Sequence, residues 1–226
     1  MTVRQTHTVV AKPGPYTFSP RSTALIMVDM QRDAIEIGGW SDACGHDVKR
    51  VAAVVPAARK LLDVCRAAEV GIIHTREAYR ADLADCPPSR RKRGELRHRI
   101  GDAGPLGRIQ VAAAAGADIV PALAPRGSEI VIDKPGKGAF HATVLGEILR
   151  FRGVTHLLFA GALTDGAVQT ILREASDRGY ECLLIEDASD SYVAEFKRAT
   201  LEMIVADGAQ VGWTALCDDV ANALAG

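Results

Sequence analysis

Residues 157–186 read LLFAGALTDGAVQTILREASDRGYECLLIE, and this stretch decides the fold. LLFA at 157–160 is an apolar run of strand length, and Gly161, Ala162, Leu163, Thr164 and Asp165 make the turn after it. Val168, Ile171, Leu172 and Ala175 recur at helical spacing, which predicts a helix from Asp165 to Arg178 with Gly179 as its stop. Thr164 or Asp165 is placed to cap its first amides. CLLI at 182–185 is the next buried strand. A βαβ unit of this kind sets a helix N-terminus at the carboxyl edge of a parallel sheet, where α/β proteins keep their sites. A nucleophile in that first turn would gain from the helix dipole. The residue there is Ala167, which has no reactive group.

Outward from this unit the alternation continues. ALIMVD at 24–29 is a continuous apolar run ending in Asp29, as expected of a central parallel strand. Residues 48–68 have helical periodicity, GIIHTR at 71–76 is the second strand and 129–133 the third. Lys134 to Phe140, KPGKGAF, is a glycine-rich loop, followed by a helix over 143–151. After the central unit come a helix over 191–206, with Phe196, Leu201 and Ile204 on its apolar side, a last strand over 209–213 and a helix over 214–225. Residues 1–22, with Pro13, Pro15 and Pro20, read as a surface arm, and 79–127 as a long surface excursion of the kind that is often functional. The expected fold is a Rossmann-like three-layer α/β/α sandwich, one domain over 1–226, on a mostly parallel, about six-stranded sheet.

Composition narrows the function classes. The chain has 226 residues, 48% hydrophobic, with a formal net charge of −1. That balance gives no global reason to expect nucleic acid or a membrane surface as partner. No apolar run reaches spanning length and no signal-peptide core opens the chain, so a cytoplasmic location is expected. Cys44, Cys65, Cys86, Cys182 and Cys217 are scattered without a CxxC pair, which suggests neither a disulfide framework nor a zinc site. The basic run SRRKRGELRHRI at 89–100 lacks interleaved aromatics and reads as a solvated or subunit-contact segment.

Few residues carry chemistry at the expected sheet edge. Asp29 is either a loop cap or a general base. Lys134, directly after the third strand, is either a solvated lysine or a partner for Asp29 or a reacting anion, with Lys137 as its competitor. KPGKG lacks the ending of a phosphate loop. Asp33 and Glu36 read as loop surface, and His74 as a core histidine with no second ligand at metal spacing. Trp40 and Trp213 read as core residues, Trp40 with a position suited to lining a pocket.

Three segments in order, VDMQRDAI, VIDKPGKGAF and GALTDGAVQTILREASDRGYECLLIEDA, resemble the isochorismatase-like cysteine hydrolase superfamily. The likeness runs from about Thr23 to Trp213, and the third segment is most similar to the form found in biuret and related ureido-amide hydrolases. The resemblance implies amidohydrolase chemistry on a C–N bond, no metal or organic cofactor, and a homodimer or homotetramer. It implies Asp29 as base, Lys134 as its partner, and position 167 as the cysteine nucleophile, with a non-proline cis peptide at Ala162–Leu163 and an oxyanion held by the amides of Leu163 and Ala167. The departure is Ala167 itself. It reads as a cysteine replaced by alanine, which would bind substrate without turning it over. The alternatives are a cysteine-free vinyl-ether hydrolase of the isochorismatase type and a non-catalytic binding protein. Where the biuret pattern has glutamine before a glycine, this chain has Asp207 and Gly208. A carboxylate there would favour a cationic group, so the expected substrate is a small ureide or guanidino compound, guanylurea ahead of biuret.

Overall fold

The computed structural model describes residues 5–93 and 98–225, so the stretch 94–97 of the basic run lies outside the described residues. Six strands form the central sheet: β1 (Thr23–Val28), β2 (Gly71–Glu77), β3 (Ile130–Lys134), β4 (His156–Ala162), β5 (Glu181–Asp190) and β6 (Trp213–Ala215). Their order is β6-β5-β4-β1-β2-β3, and every neighbouring pair is parallel. β1 is buried throughout, as its unbroken apolar sequence requires.

Side-chain alternation along β1 builds the two outer layers. Leu25 and Met27 join the core under α1 (Val55–Ala67) and α5 (Cys217–Ala225), which contribute Leu61, Leu62, Cys65 and Val220. Ala24, Ile26 and Val28 point the other way, into the core under α2 (Leu145–Phe151), α3 (Gln169–Asp177) and α4 (Ala194–Ala209). Helices therefore cover both faces, as the three-layer expectation requires.

Several boundaries differ from the sequence reading. The first segment is no surface arm. His7–Val9 and Tyr16–Phe18 pair as an antiparallel hairpin whose Val9, Tyr16 and Phe18 are buried in the core, because apolar residues alternate there over spans too short to show a period. The helix expected over 48–68 is split into Val48–Ala52 and Val55–Ala67, with Pro56 in the first turn of the second. The last strand begins at Trp213, because α4 extends past a left-handed break at Asp207 and Gly208. The excursion after β2 has its own small core of Tyr79, Leu83, Cys86 and Val111. None of the described helices is long and apolar enough to cross a membrane.

Candidate active site

Parallel strands deliver their carboxyl ends to one edge, and here that edge gathers charge. β1 ends at Val28, so Asp29 is the first residue beyond it, held with φ +46°. Its Oδ1 accepts from Thr75 Oγ1 at 2.7 Å, on β2. Its Oδ2 accepts from Lys134 Nζ, also at 2.7 Å. Lys134 is the last residue of β3 and is completely buried, with a further bond from Nζ to the carbonyl of Gly136 at 2.7 Å. Burial raises the Asp29 pKa, Lys134 opposes the rise, and the nearby Glu77 carboxylate adds to it.

Above Asp29 lies a cavity of about 360 Å³. Ala162, Leu163, Asp165, Gly166 and Ala167 form one wall, so Ala167 and Asp29 face the same space. The Ala162–Leu163 peptide is cis, as the family resemblance implied. Neither expected helix cap acts as one. Thr164 Oγ1 bonds Ser189 Oγ at 2.8 Å, and Ser191 Oγ donates to Asp165 Oδ1 at 2.5 Å. A wide π turn over Thr164–Val168 precedes α3 and carries Ala167 into the cavity wall.

Trp40 lines the cavity, from a short helical turn after β1. Asp33, expected on the surface, is instead buried, because it accepts from the Trp40 amide at 3.2 Å and holds that turn. Phe196, expected in the core, lines the cavity from the first turn of α4 and is half exposed. His46 stacks on Tyr192 at 4.6 Å to complete an aromatic side. Asp207 is not on this cavity. It is exposed in the left-handed break late in α4, a conformation that Asp and Gly adopt more readily than other residues.

The sequence reading missed Glu77. It ends β2, so the same carboxyl-edge argument that picked Asp29 applies to it. Glu77 is buried, lines the cavity and accepts from Lys137 Nζ at 2.7 Å and from Arg90. Burial pushes its pKa up, but Lys137, Lys134 and Arg90 outweigh that and hold it low. Lys137 thus serves Glu77 while Lys134 serves Asp29. Arg90, in the run read as solvated, is drawn inward by the same carboxylate. His74 is buried away from the cavity, with Nε2 3.0 Å from Glu129. Among the described residues no cluster of His, Cys, Asp and Glu could hold a metal ion.

The chain was compared with known proteins. It is 28% identical over 225 residues to the ureidoacrylate amidohydrolase RutB of Serratia proteamaculans, covering 97% of this chain and 90% of that protein. The same enzyme of Agrobacterium fabrum matches at 28% over 217 residues, 94% of each chain. Among solved structures, a cysteine hydrolase from Pseudomonas syringae pv. phaseolicola superposes with a TM-score of 0.79 at 25% identity, covering 96% of this chain and 97% of that one. An isochorismatase family protein from Desulfovibrio vulgaris gives 0.75 at 27% identity, over 91% and 100% of the two chains. The isochorismatase domain model matches residues 23–215, and the chain belongs to the isochorismatase family.

Proposed function

We propose that this chain carries the site of an amidohydrolase that cleaves a C–N bond of a small ureide, with Ala167 standing where the nucleophilic cysteine belongs. The observation that carries this reading is the buried Lys134–Asp29 pair, 2.7 Å apart, at the floor of the cavity that Ala167 also lines. The likeness to ureidoacrylate amidohydrolases supports the substrate class.

In the cysteine-bearing form Asp29 takes the thiol proton, and Lys134 and the start of the helix favour the thiolate. The sulfur attacks the substrate carbonyl, the amides of Leu163 and Ala167 receive the oxyanion, and Asp29 returns the proton to the leaving amine. Water then cleaves the acyl–sulfur bond. With alanine at 167 the chain binds and stops. Choice between guanylurea and biuret by Asp207 has no support from the cavity, since Asp207 is exposed outside it. On this reading Asp207→Gln leaves the ratio of the two unchanged.

The test is Ala167→Cys followed by ammonia release from ureidoacrylate, biuret and guanylurea. Release that depends on Asp29 and Lys134 supports the reading, and no release from any of them overturns it. Hydrolysis of isochorismate by the chain with Ala167 in place would instead establish the vinyl-ether alternative.

A further inference from the structure

Glu77 stands at the same strand edge as the Lys134–Asp29 pair, and nothing in the chemistry above uses it. β2 runs between β1 and β3, and Glu77 at its end is in register with Lys134. One buried side-chain amide fixes its main chain from both sides. Gln31 Nε2 donates to the Glu77 carbonyl at 3.2 Å, and the Glu77 amide donates to Gln31 Oε1 at 2.8 Å. The Glu77 carboxylate is therefore mounted on the sheet edge, not on a loop.

The loop that follows Lys134 depends on such a mount. Gly136 and Gly138 flank Lys137, and glycines carry backbone freedom that must be lost when a loop is held. From the end of β2, the Tyr79 hydroxyl donates to the Pro135 carbonyl at 3.0 Å, and Glu77 Oε2 receives Lys137 Nζ at 2.7 Å. Arg90 takes the other oxygen, Oε1. The loop so pinned holds Lys134 in turn, because Lys134 Nζ donates to the Gly136 carbonyl at 2.7 Å. An ammonium carries three hydrogens in a fixed arrangement. The place of the Gly136 carbonyl therefore governs how another of them meets Asp29 Oδ2.

As a bare charge, Glu77 would hinder the chemistry proposed above, since a carboxylate on the cavity wall disfavours a thiolate at position 167. Its contacts give it a different part. We propose that Glu77 is a positioning residue for Lys134: by holding Lys137 it fixes the loop whose Gly136 carbonyl orients the Lys134 ammonium toward Asp29. The role rests on the reading of position 167 as the place of the nucleophile, and it acts through Lys134 without touching substrate.

The test titrates a thiol and needs no substrate. In the Ala167→Cys background, the pH midpoint of iodoacetamide labelling is measured with and without Glu77→Gln, with circular dichroism to check that each protein is folded. Removing a negative charge would by itself lower the midpoint, whereas loss of a well-placed Lys134 raises it. The expected result is a rise of about half a unit or more. A fall, or no change, overturns the positioning role. Added to Lys134→Met, the same substitution should give no rise, because no ammonium is left to position. A rise that persists there overturns the route through Lys134. Should Glu77→Gln fail to fold, Tyr79→Phe frees the Pro135 carbonyl without changing charge and is read by the same sign: a rise supports the pinned loop, and no rise overturns it. Failure of Glu77 on these counts leaves the ureide reading standing. Conversely, a depressed midpoint that depends on Glu77, in a protein that releases ammonia from no ureide, faults the substrate class and keeps the role of Glu77. A parent thiol that titrates at or above the ordinary value of about 8.5 removes the activated nucleophile and the role of Glu77 together.

Discussion

Lys134 and Asp29 come from strands that are not neighbours, yet Lys134 Nζ donates to Asp29 Oδ2 at 2.7 Å across the end of β2. Both are buried, so each is the other's main compensation for leaving water. Breaking such a pair on one side leaves an uncompensated charge, at a cost of about 3–5 kcal/mol. Lys134→Met and Asp29→Asn should each destabilise by about that amount, and the double variant by clearly less than the sum. Urea unfolding of the four proteins measures this. Additive losses would mean that the two groups are not coupled.

Gly161 sets the distance between β4 and β1 at the site. Its φ is +126°, and a Cβ there would lie 2.1 Å from the carbonyl oxygen of Val28, one residue before Asp29. Neither backbone can move aside without shifting the sheet edge. Gly161→Ala should cost at least about 2–4 kcal/mol and weaken ligand binding. Gly179 is the control: its φ is also positive, at +87°, but nothing lies within 4 Å of its Cβ position. Gly179→Ala should cost only about 1–2 kcal/mol, the left-handed penalty alone. Equal losses in thermal or urea unfolding would refute the close-approach explanation.

The strands were legible because burial on both faces leaves continuous apolar runs, and the residue just beyond β1 is the carboxylate that its sequence marks. Asp29 and Lys134 could be found because topology alone puts strand ends at one edge. Glu77 obeys the same rule and was missed only because HTRE carries less apolar signal than ALIMVD. Phe196 and Asp33 were misplaced for a physical reason. A helix or loop that lines a cavity inverts the usual link between apolar and core, or between polar and surface. The convergence of Arg90 and Lys137 on Glu77 was not readable, since the two come from separate loops with no common period.

Glu129 offers a pH test away from the site. It is bonded by Arg66 at 2.7 and 3.0 Å and by His74 at 3.0 Å. Burial alone would raise its pKa, but Arg66, the Arg126 amide and His74 hold it down to about 2. A carboxyl whose folded pKa is depressed stabilises the fold fully above its unfolded value, and that contribution is lost as pH falls toward the folded one. Glu129→Gln should therefore cost about 1.5–3 kcal/mol near neutral pH. The gap to the parent should narrow as pH drops from about 4.5 toward 2. A gap that stays constant over that range would show that shape, not charge, holds Glu129 in place.

Position 167 allows a test of the thiol environment that needs no substrate. Burial raises the pKa of Cys86 and Cys182, and pushes Cys65 up to about 12 and Cys217 to about 11, so these four thiols are poor targets for iodoacetamide at neutral pH. A thiol introduced by Ala167→Cys opens on the cavity beside the Asp29–Lys134 pair. If that pair and the helix start act as proposed, the new thiol should be alkylated well above the parent background, with a pH midpoint below the ordinary value of about 8.5. Removing the cation by Lys134→Met in the same background should move the midpoint up by about one unit or more, because a nearby positive charge favours the thiolate. Mass spectrometry of the labelled peptide gives both midpoints. A thiol at 167 that titrates at or above the ordinary value, with no response to Lys134→Met, would remove Lys134 from the activation of a nucleophile at this position.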